Sequence, residues 1–294
     1  MKHGESMIQP PQREPITLVD LAEKKRRFEP FVMVTAYDLP SARAVEAAGV
    51  DLVLAGDTAA MTVLGYRSTV PVTIEEMLVL TKAARRGLRT PLLIGDLPFG
   101  SYERSHEQAI SSAQRLVKEG GADVVKFEGP SAGRAVAIAA AGIPVMGHLG
   151  LTPQTATALG GGFKAQARSG AAARRLLDDA LALEAAGCFE LVLEAVPAQV
   201  AAVVTERLAI PTIGIGAGPE TDGQVLVLND LLGLFEEFTP RFVKRYAELA
   251  SDMAGAVSAF ADDVRARRFP AEEHCYSIER GELERFLTSL EAHG

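Results

Sequence analysis

The chain reads as eight short apolar runs of strand length, each followed by an alanine-rich helical stretch, and no other feature constrains its fold as strongly. The runs occupy residues 31–37, 51–56, 91–96, 123–128, 144–150, 190–195, 211–216 and 224–229. Several share one lead-in, a helix ending in Gly and passing at once into a strand: EAAGVDLVL, KEGGADVVKF, AAAGIPVMG and EAAGCFELVL. Gly at that position ends a helix in the left-handed conformation. Continuous apolar strands alternating with helices imply a parallel sheet covered by helices. Eight such units, with no composition break between halves, favour an α/β (β/α)8 TIM barrel over an open doubly wound sheet.

The boundaries follow from the same pattern. Residues 1–16 are polar and proline-bearing and read as a flexible tail. Thr17 is a candidate N-cap for a short N-terminal helix, and residues 17–262 form the barrel. The helical region 241–268 outlasts what a barrel needs, so residues 263–294 read as an extended C-terminal helical tail serving assembly. A length of 294 residues suits one large domain of this kind.

Composition removes several function classes. Thirty Lys and Arg against 38 Asp and Glu leave a net charge of −8, which argues against a nucleic-acid partner. Cys188 and Cys275 are isolated, so neither a disulfide framework nor a zinc cluster is expected, and a reducing compartment fits. No apolar run reaches the ~18 residues of a spanning helix. The start, MKHGESMIQPPQREP, lacks the apolar stretch of a signal peptide. The expectation is a cytoplasmic protein with no membrane contact.

In a (β/α)8 barrel the chemistry sits at the C-terminal strand ends. Those ends carry Asp57 and Thr58 (second run), Asp96 (third), Lys126 and Glu128 (fourth), His148 (fifth) and Glu194 (sixth). Acids sharing one cavity repel one another unless a cation compensates. Hard oxygen donors without a histidine or thiolate cluster point to magnesium rather than zinc. Asp57, Asp96 and Glu128 are therefore metal-ligand candidates. Lys126 points to an anionic substrate. Glu194, two strands away, suits proton abstraction next to a carbonyl held by a Lewis acid. The plainer account, in which these residues cap helices and form rim ion pairs, serves any one of them but not the whole set. The GIGAG segment, 214–218, lacks the full spacing of a dinucleotide loop and reads as tight packing at a strand end.

The segments VLAGDTAAMTVLGYRSTVPVT, LLIGDLPFGSY, VVKFEG, VMGHLGLTPQ, LVLEAVP and IPTIGIGAGPETDGQVLVLND resemble, in order and spacing, the 3-methyl-2-oxobutanoate (ketopantoate) hydroxymethyltransferase family. The resemblance runs from about Phe31 to Gly233, and FPAEEHCY (269–276) is similar to the family's C-terminal element. It implies hydroxymethyl transfer from 5,10-methylenetetrahydrofolate to 3-methyl-2-oxobutanoate, giving 2-dehydropantoate and tetrahydrofolate through a magnesium-stabilised enolate. It also implies a homo-oligomer, typically a decamer. By matching motifs it implies Asp57 and Asp96 as metal and substrate residues, Glu128 as a metal residue, Lys126 and Thr58 as substrate residues, and Glu194 as the proton acceptor. Thr58 stands where the family usually has Ser, Phe163 and Ala167 where Tyr and Gly are common, and Cys275 where Ser is usual. A magnesium-dependent lyase or mutase on the same barrel is the rival. Its lyase members need a strand-end cysteine, which neither Cys188 nor Cys275 supplies.

Overall fold

The computed structural model describes residues 13–158 and 164–292. Most of the expected N-terminal tail, residues 1–12, and the Phe163 position lie outside the described residues. The chain divides into two compact units, Met1–Ala247 and Glu248–Gly294.

In the first unit the elements run α1 (Leu18–Arg27), β1 (Phe31–Thr35), α2 (Leu39–Ala47), β2 (Leu52–Ala55), α3 (Ala59–Thr62), α4 (Ile74–Arg85), β3 (Leu92–Asp96), α5 (His106–Lys118) and β4 (Val124–Lys126). They continue through α6 (Ala132–Ala140), β5 (Val145–Gly150), α7 (Gly170–Ala185), β6 (Cys188–Glu194), α8 (Ala198–Arg207), β7 (Thr212–Ile215), β8 (Gly223–Leu226) and α9 (Leu228–Leu231). The eight strands are parallel and close into a barrel in chain order, with β8 pairing back onto β1.

Local chemistry sets the helix starts. Thr17, Asp38 and Thr73 each accept a hydrogen bond from the third helical N–H, and the residue at that position answers the cap. Two of the lead-in glycines, Gly49 (φ 73°) and Gly187 (φ 93°), adopt the left-handed turn expected of them.

Period-two alternation then builds the lumen. Phe31, Met33, Leu52, Leu54, Ile94, Val124, Met146, Val192, Ile213 and Val225 form one buried cluster drawn from all eight strands. Leu21 of α1, fully buried, joins that cluster, with Ile16 and Leu18 packed against it. Because α1 leads directly into β1, it closes the N-terminal end of the barrel. A larger cluster fills the space between the sheet and the helices.

Three details differ from the sequence reading. Residues 216–222 return the chain from β7 to β8 with no helix between them. Cys188 does not precede the sixth strand but begins it, because the β5–β6 register places it beside Val145. The helical region expected over 241–268 is helical only over α10 (Leu249–Arg265), in the second unit.

That second unit contains α10 and α11 (Arg280–Glu291), neither with a buried residue. Met253, Val257, Phe260 and Val264 form an exposed apolar stripe at helical spacing on α10. The rings of Phe260 and Phe269 meet edge to face at 5.4 Å. Among the described residues, no helix is long and apolar enough to cross a membrane.

Candidate active site

One step of two beyond the apolar lumen layer, the side chains change character. Ile94 is followed by Asp96, Val124 by Lys126, Met146 by His148 and Val192 by Glu194. The alternation that buries an apolar layer thus delivers a polar layer at the C-terminal mouth. Asp57 and Thr58 after β2 and Glu128 after β4 line the same small cavity. All six residues singled out in the sequence are brought together, and His148 joins them.

Lys126 Nζ lies 2.7 and 2.8 Å from the two carboxylate oxygens of Asp96. The Asp57 backbone N–H donates to Asp96 Oδ2 at 3.1 Å. Glu128 Oε1 lies 3.8 Å from Lys126 Nζ and 3.3 Å from His148 Nδ1. The other face of the imidazole, Nε2, is 3.2 Å from Glu194 Oε2. Both His148 contacts are at ion-pair distance without hydrogen-bond alignment. Glu194 is therefore not apart from the acid cluster, as its strand number suggested, but joined to it through His148 on the intervening strand.

Burial, followed by the Asp96 and Glu128 carboxylates, pushes the Asp57 carboxyl well above the usual range, against Lys126 and Gln154. Burial raises Asp96 too, with Lys126 opposing it. Glu128 resists its burial and sits below the usual range, held there by His148 and then Lys126. Burial alone would lower both bases, but Asp96 and Glu128 outweigh it to raise Lys126. Glu128 and Glu194 do the same for His148, pushing it up to about 9. Four carboxylates against one ammonium and one imidazole leave the cavity electronegative.

That excess, carried on hard oxygen donors, fits a divalent cation. Among the described residues no group of three His, Cys, Asp or Glu side chains is arranged to hold a metal ion. Both Glu128 oxygens are already engaged, Oε1 by His148 and Oε2 by the Gln154 N–H at 3.1 Å. Asp96 is engaged as well, by Lys126 and the Asp57 N–H, so a cation held by Asp57 and Asp96 would displace the Lys126 contact; magnesium is commonly held by one or two carboxylates with water and substrate filling the other positions.

Gln154 is the site residue that sequence reasoning missed. It sits on a 3-10 turn after β5, fully enclosed, and its Nε2 donates to Asp57 Oδ2 at 2.9 Å and to the Leu97 carbonyl at 3.0 Å. Tyr102 Oη lies 2.5 Å from its Oε1. Gln154 stands inside the VMGHLGLTPQ motif, where only its position marked it. The GIGAG segment packs as expected: Gly216 has φ 64°, and a Cβ there would lie 2.5 Å from the Phe242 ring. Ala167, where the resemblance leads to an expectation of glycine, has φ 54°, a conformation that glycine adopts without strain. The Cys188 thiol is buried at the opposite end of β6, and its burial pushes it up to about 12, so no thiolate serves the mouth.

A family model described as ketopantoate hydroxymethyltransferase matches residues 15–272. The 3-methyl-2-oxobutanoate hydroxymethyltransferase of Nitratidesulfovibrio vulgaris strain DP4 is 51% identical over 282 residues, covering 95% of this chain and 91% of that one. The Moorella thermoacetica enzyme of the same name is 53% identical, covering 90% and 99%. A mitochondrial Arabidopsis thaliana relative is 49% identical, covering 95% and 83%. Among solved structures, phosphonopyruvate hydrolase in complex with oxalate and Mg superposes with a TM-score of 0.57 at 14% identity, covering 94% of this chain and 98% of that one. A 2,3-dimethylmalate lyase gives 0.54 at 15% identity, covering 94% and 98%. At that identity these two show the shared barrel alone.

Proposed function

The chain belongs to the ketopantoate hydroxymethyltransferase family and is a transferase, and on that premise we propose that it moves a hydroxymethyl group from 5,10-methylenetetrahydrofolate to 3-methyl-2-oxobutanoate, yielding 2-dehydropantoate and tetrahydrofolate. The observation that carries this reading is the shared cavity in which Glu194 faces Asp57, Asp96, Lys126 and Thr58.

The keto acid enters with its carboxylate toward the Lys126 ammonium, and the Thr58 hydroxyl limits its rotation. A magnesium ion held by Asp57 and Asp96, with Glu128 acting through water, would supply the positive charge that stabilises a developing enolate oxygen. Glu194 takes the proton from C3, which is tertiary and weakly acidic. His148 orients the Glu194 carboxylate. The C3 carbanion equivalent forms its new bond to the donor methylene. One water supplies the hydroxyl oxygen as the carbon leaves the folate nitrogens.

Conversion of 3-methyl-2-oxobutanoate with methylenetetrahydrofolate, measured with and without chelator, tests the proposal. Turnover that persists undiminished in chelator would remove the metal, and absence of turnover would remove the donor. We also infer a homo-oligomer, a decamer by family resemblance. The uncovered apolar stripe of α10 supports self-association. A light-scattering mass near the 31.2 kDa of one chain would refute it. The two free thiols suit a cytoplasmic setting.

A further inference from the structure

A second pocket adjoins the polar cavity and shares with it Thr58, Pro153, Glu194, Ile215 and Val227. Anything bound there abuts the carboxylate that takes the C3 proton. The keto acid's carboxylate and keto oxygen are met in the first cavity, which leaves only its isopropyl end to border this space.

The second pocket is apolar and aromatic, with Phe235, Phe238 and Phe242 among its walls. Besides the shared Thr58 and Glu194, three polar side chains interrupt that lining: Thr62, Thr69 and Asp230. Thr69 is 3% exposed, and its hydroxyl finds no hydrogen-bond partner. Asp230, on α9, is 9% exposed and lines the same pocket. Burial pushes that carboxyl up to about 6, with Arg245 only partly offsetting it. A buried hydroxyl without a partner, such as that of Thr69, is costly unless a ligand completes it.

A third groove continues outward from the second pocket, sharing Phe238, Pro240 and Phe242 and carrying Arg168 and Arg241 on its rim. The three adjoining spaces are therefore lined in turn by the acid cluster, by aromatic rings with Asp230 and threonine hydroxyls, and by two arginines.

We propose that Asp230 and Thr69 are the recognition residues for the one-carbon donor. In this assignment, Asp230 accepts two adjacent N–H groups from the edge of a flat bicyclic heterocycle, Thr69 donates to that ring's oxo group, and Arg168 and Arg241 meet an anionic tail. A carboxylate presents two oxygens side by side, which matches the amide N–H and amino group of a 2-amino-4-oxo pterin. Phenylalanine walls suit its faces. The placement puts the donor's methylene carbon beside Glu194. This inference rests on the folate-donor reading above.

The test uses the full-length enzyme with magnesium. Binding of tetrahydrofolate to the parent is measured first by calorimetry. KM values for methylenetetrahydrofolate and for 3-methyl-2-oxobutanoate are then compared in Asp230→Asn and Thr69→Val. We expect the donor KM to rise at least about tenfold in Asp230→Asn and less in Thr69→Val. The keto-acid KM, which also reports correct folding, should stay within about twofold in both. A parent that does not bind tetrahydrofolate overturns the donor reading and this assignment together. A parent that binds it, with an Asp230→Asn variant that binds it equally well, overturns the assignment alone. Equal rises in both KM values would also overturn it, by placing Asp230 with the keto acid.

Discussion

His148 Nε2 and Glu194 Oε2 stand 3.2 Å apart at the mouth of the barrel, on neighbouring strands β5 and β6. The register sets His148 level with Val192 and Glu194 level with Gly150, so the imidazole reaches up to the carboxylate diagonally. Its other nitrogen faces Glu128. One ring thus ties the proposed base to the acid cluster that would hold the cation.

Replacing Glu194 by Gln keeps the shape and removes the basicity. In heavy water with magnesium and no folate, the parent should exchange deuterium into C3 of the keto acid. The Glu194→Gln enzyme should lose both exchange and turnover by roughly 10²–10⁴-fold. Exchange at the parent rate with turnover lost would move Glu194 to the folate half of the reaction.

On the proposed reading His148 acts through Glu194 as a positioning residue. His148→Leu should lower kcat by roughly 10²-fold with little change in the keto-acid KM. His148→Gln can still offer an N–H from the Nε2 position and should recover part of the loss. If Gln and Leu fall equally far, the contact is not what orients the carboxylate.

The two aspartates should separate cleanly. Asp57 is crowded by like charge, so Asp57→Asn should raise the metal-free unfolding midpoint while abolishing turnover. Magnesium should stabilise the parent against heat and leave Asp57→Asn unchanged. Asp96→Ala leaves Lys126, which is 4% exposed, with Glu128 at 3.8 Å in place of its closest partner, and should cost about 3 kcal/mol in urea titrations. An Asp96→Ala protein as stable as the parent would mean that Lys126 finds another partner.

Glu190 sits in the lumen beside Met146, fully buried, and among the described residues neither carboxylate oxygen has a partner. Burial, with Asp222 adding like charge, raises its pKa well above the usual range. Asp222 is itself paired with Lys25 at 2.8 Å. The folded protein therefore keeps a proton that the unfolded chain releases above about pH 4.3. Stability from this group is lost as pH rises from there toward the folded-state pKa. Glu190→Leu should flatten that decline and add about 1–3 kcal/mol at pH 8. Denaturant midpoints at pH 5 and pH 8 check it, and an unchanged slope would assign the titration to another group.

The fold was legible because parallel strands buried on both faces leave uninterrupted apolar runs, and each lead-in glycine marks where a helix stops. The strand ends were legible because a barrel puts its chemistry at one rim. Register was not legible, since which residue of β5 lies level with Glu194 depends on the closure of the whole sheet. That is why His148 appeared as one strand end among several and Glu194 as an acid two strands away. Gln154 was hidden by its type, as a glutamine on a short turn has no signature until its neighbours surround it. The return between β7 and β8 escaped the helical pattern because a short loop of Gly, Pro and Asp can span short strands without a helix. Asp230 and Thr69 lie off the barrel strands and gain meaning only from the pocket they share.

Leu21 caps the lower end of a lumen already filled by Phe31, Met33 and their neighbours, which makes the barrel a vessel with one opening. On the proposed reading the keto acid goes to the floor of that opening and the donor to the space over it. Such stacking dictates a sequence of arrivals: keto acid first, folate second. Departures run in reverse, with tetrahydrofolate leaving before the elongated keto acid. Initial-rate patterns should then show tetrahydrofolate as a noncompetitive inhibitor toward the keto acid, and 2-dehydropantoate as a competitive one.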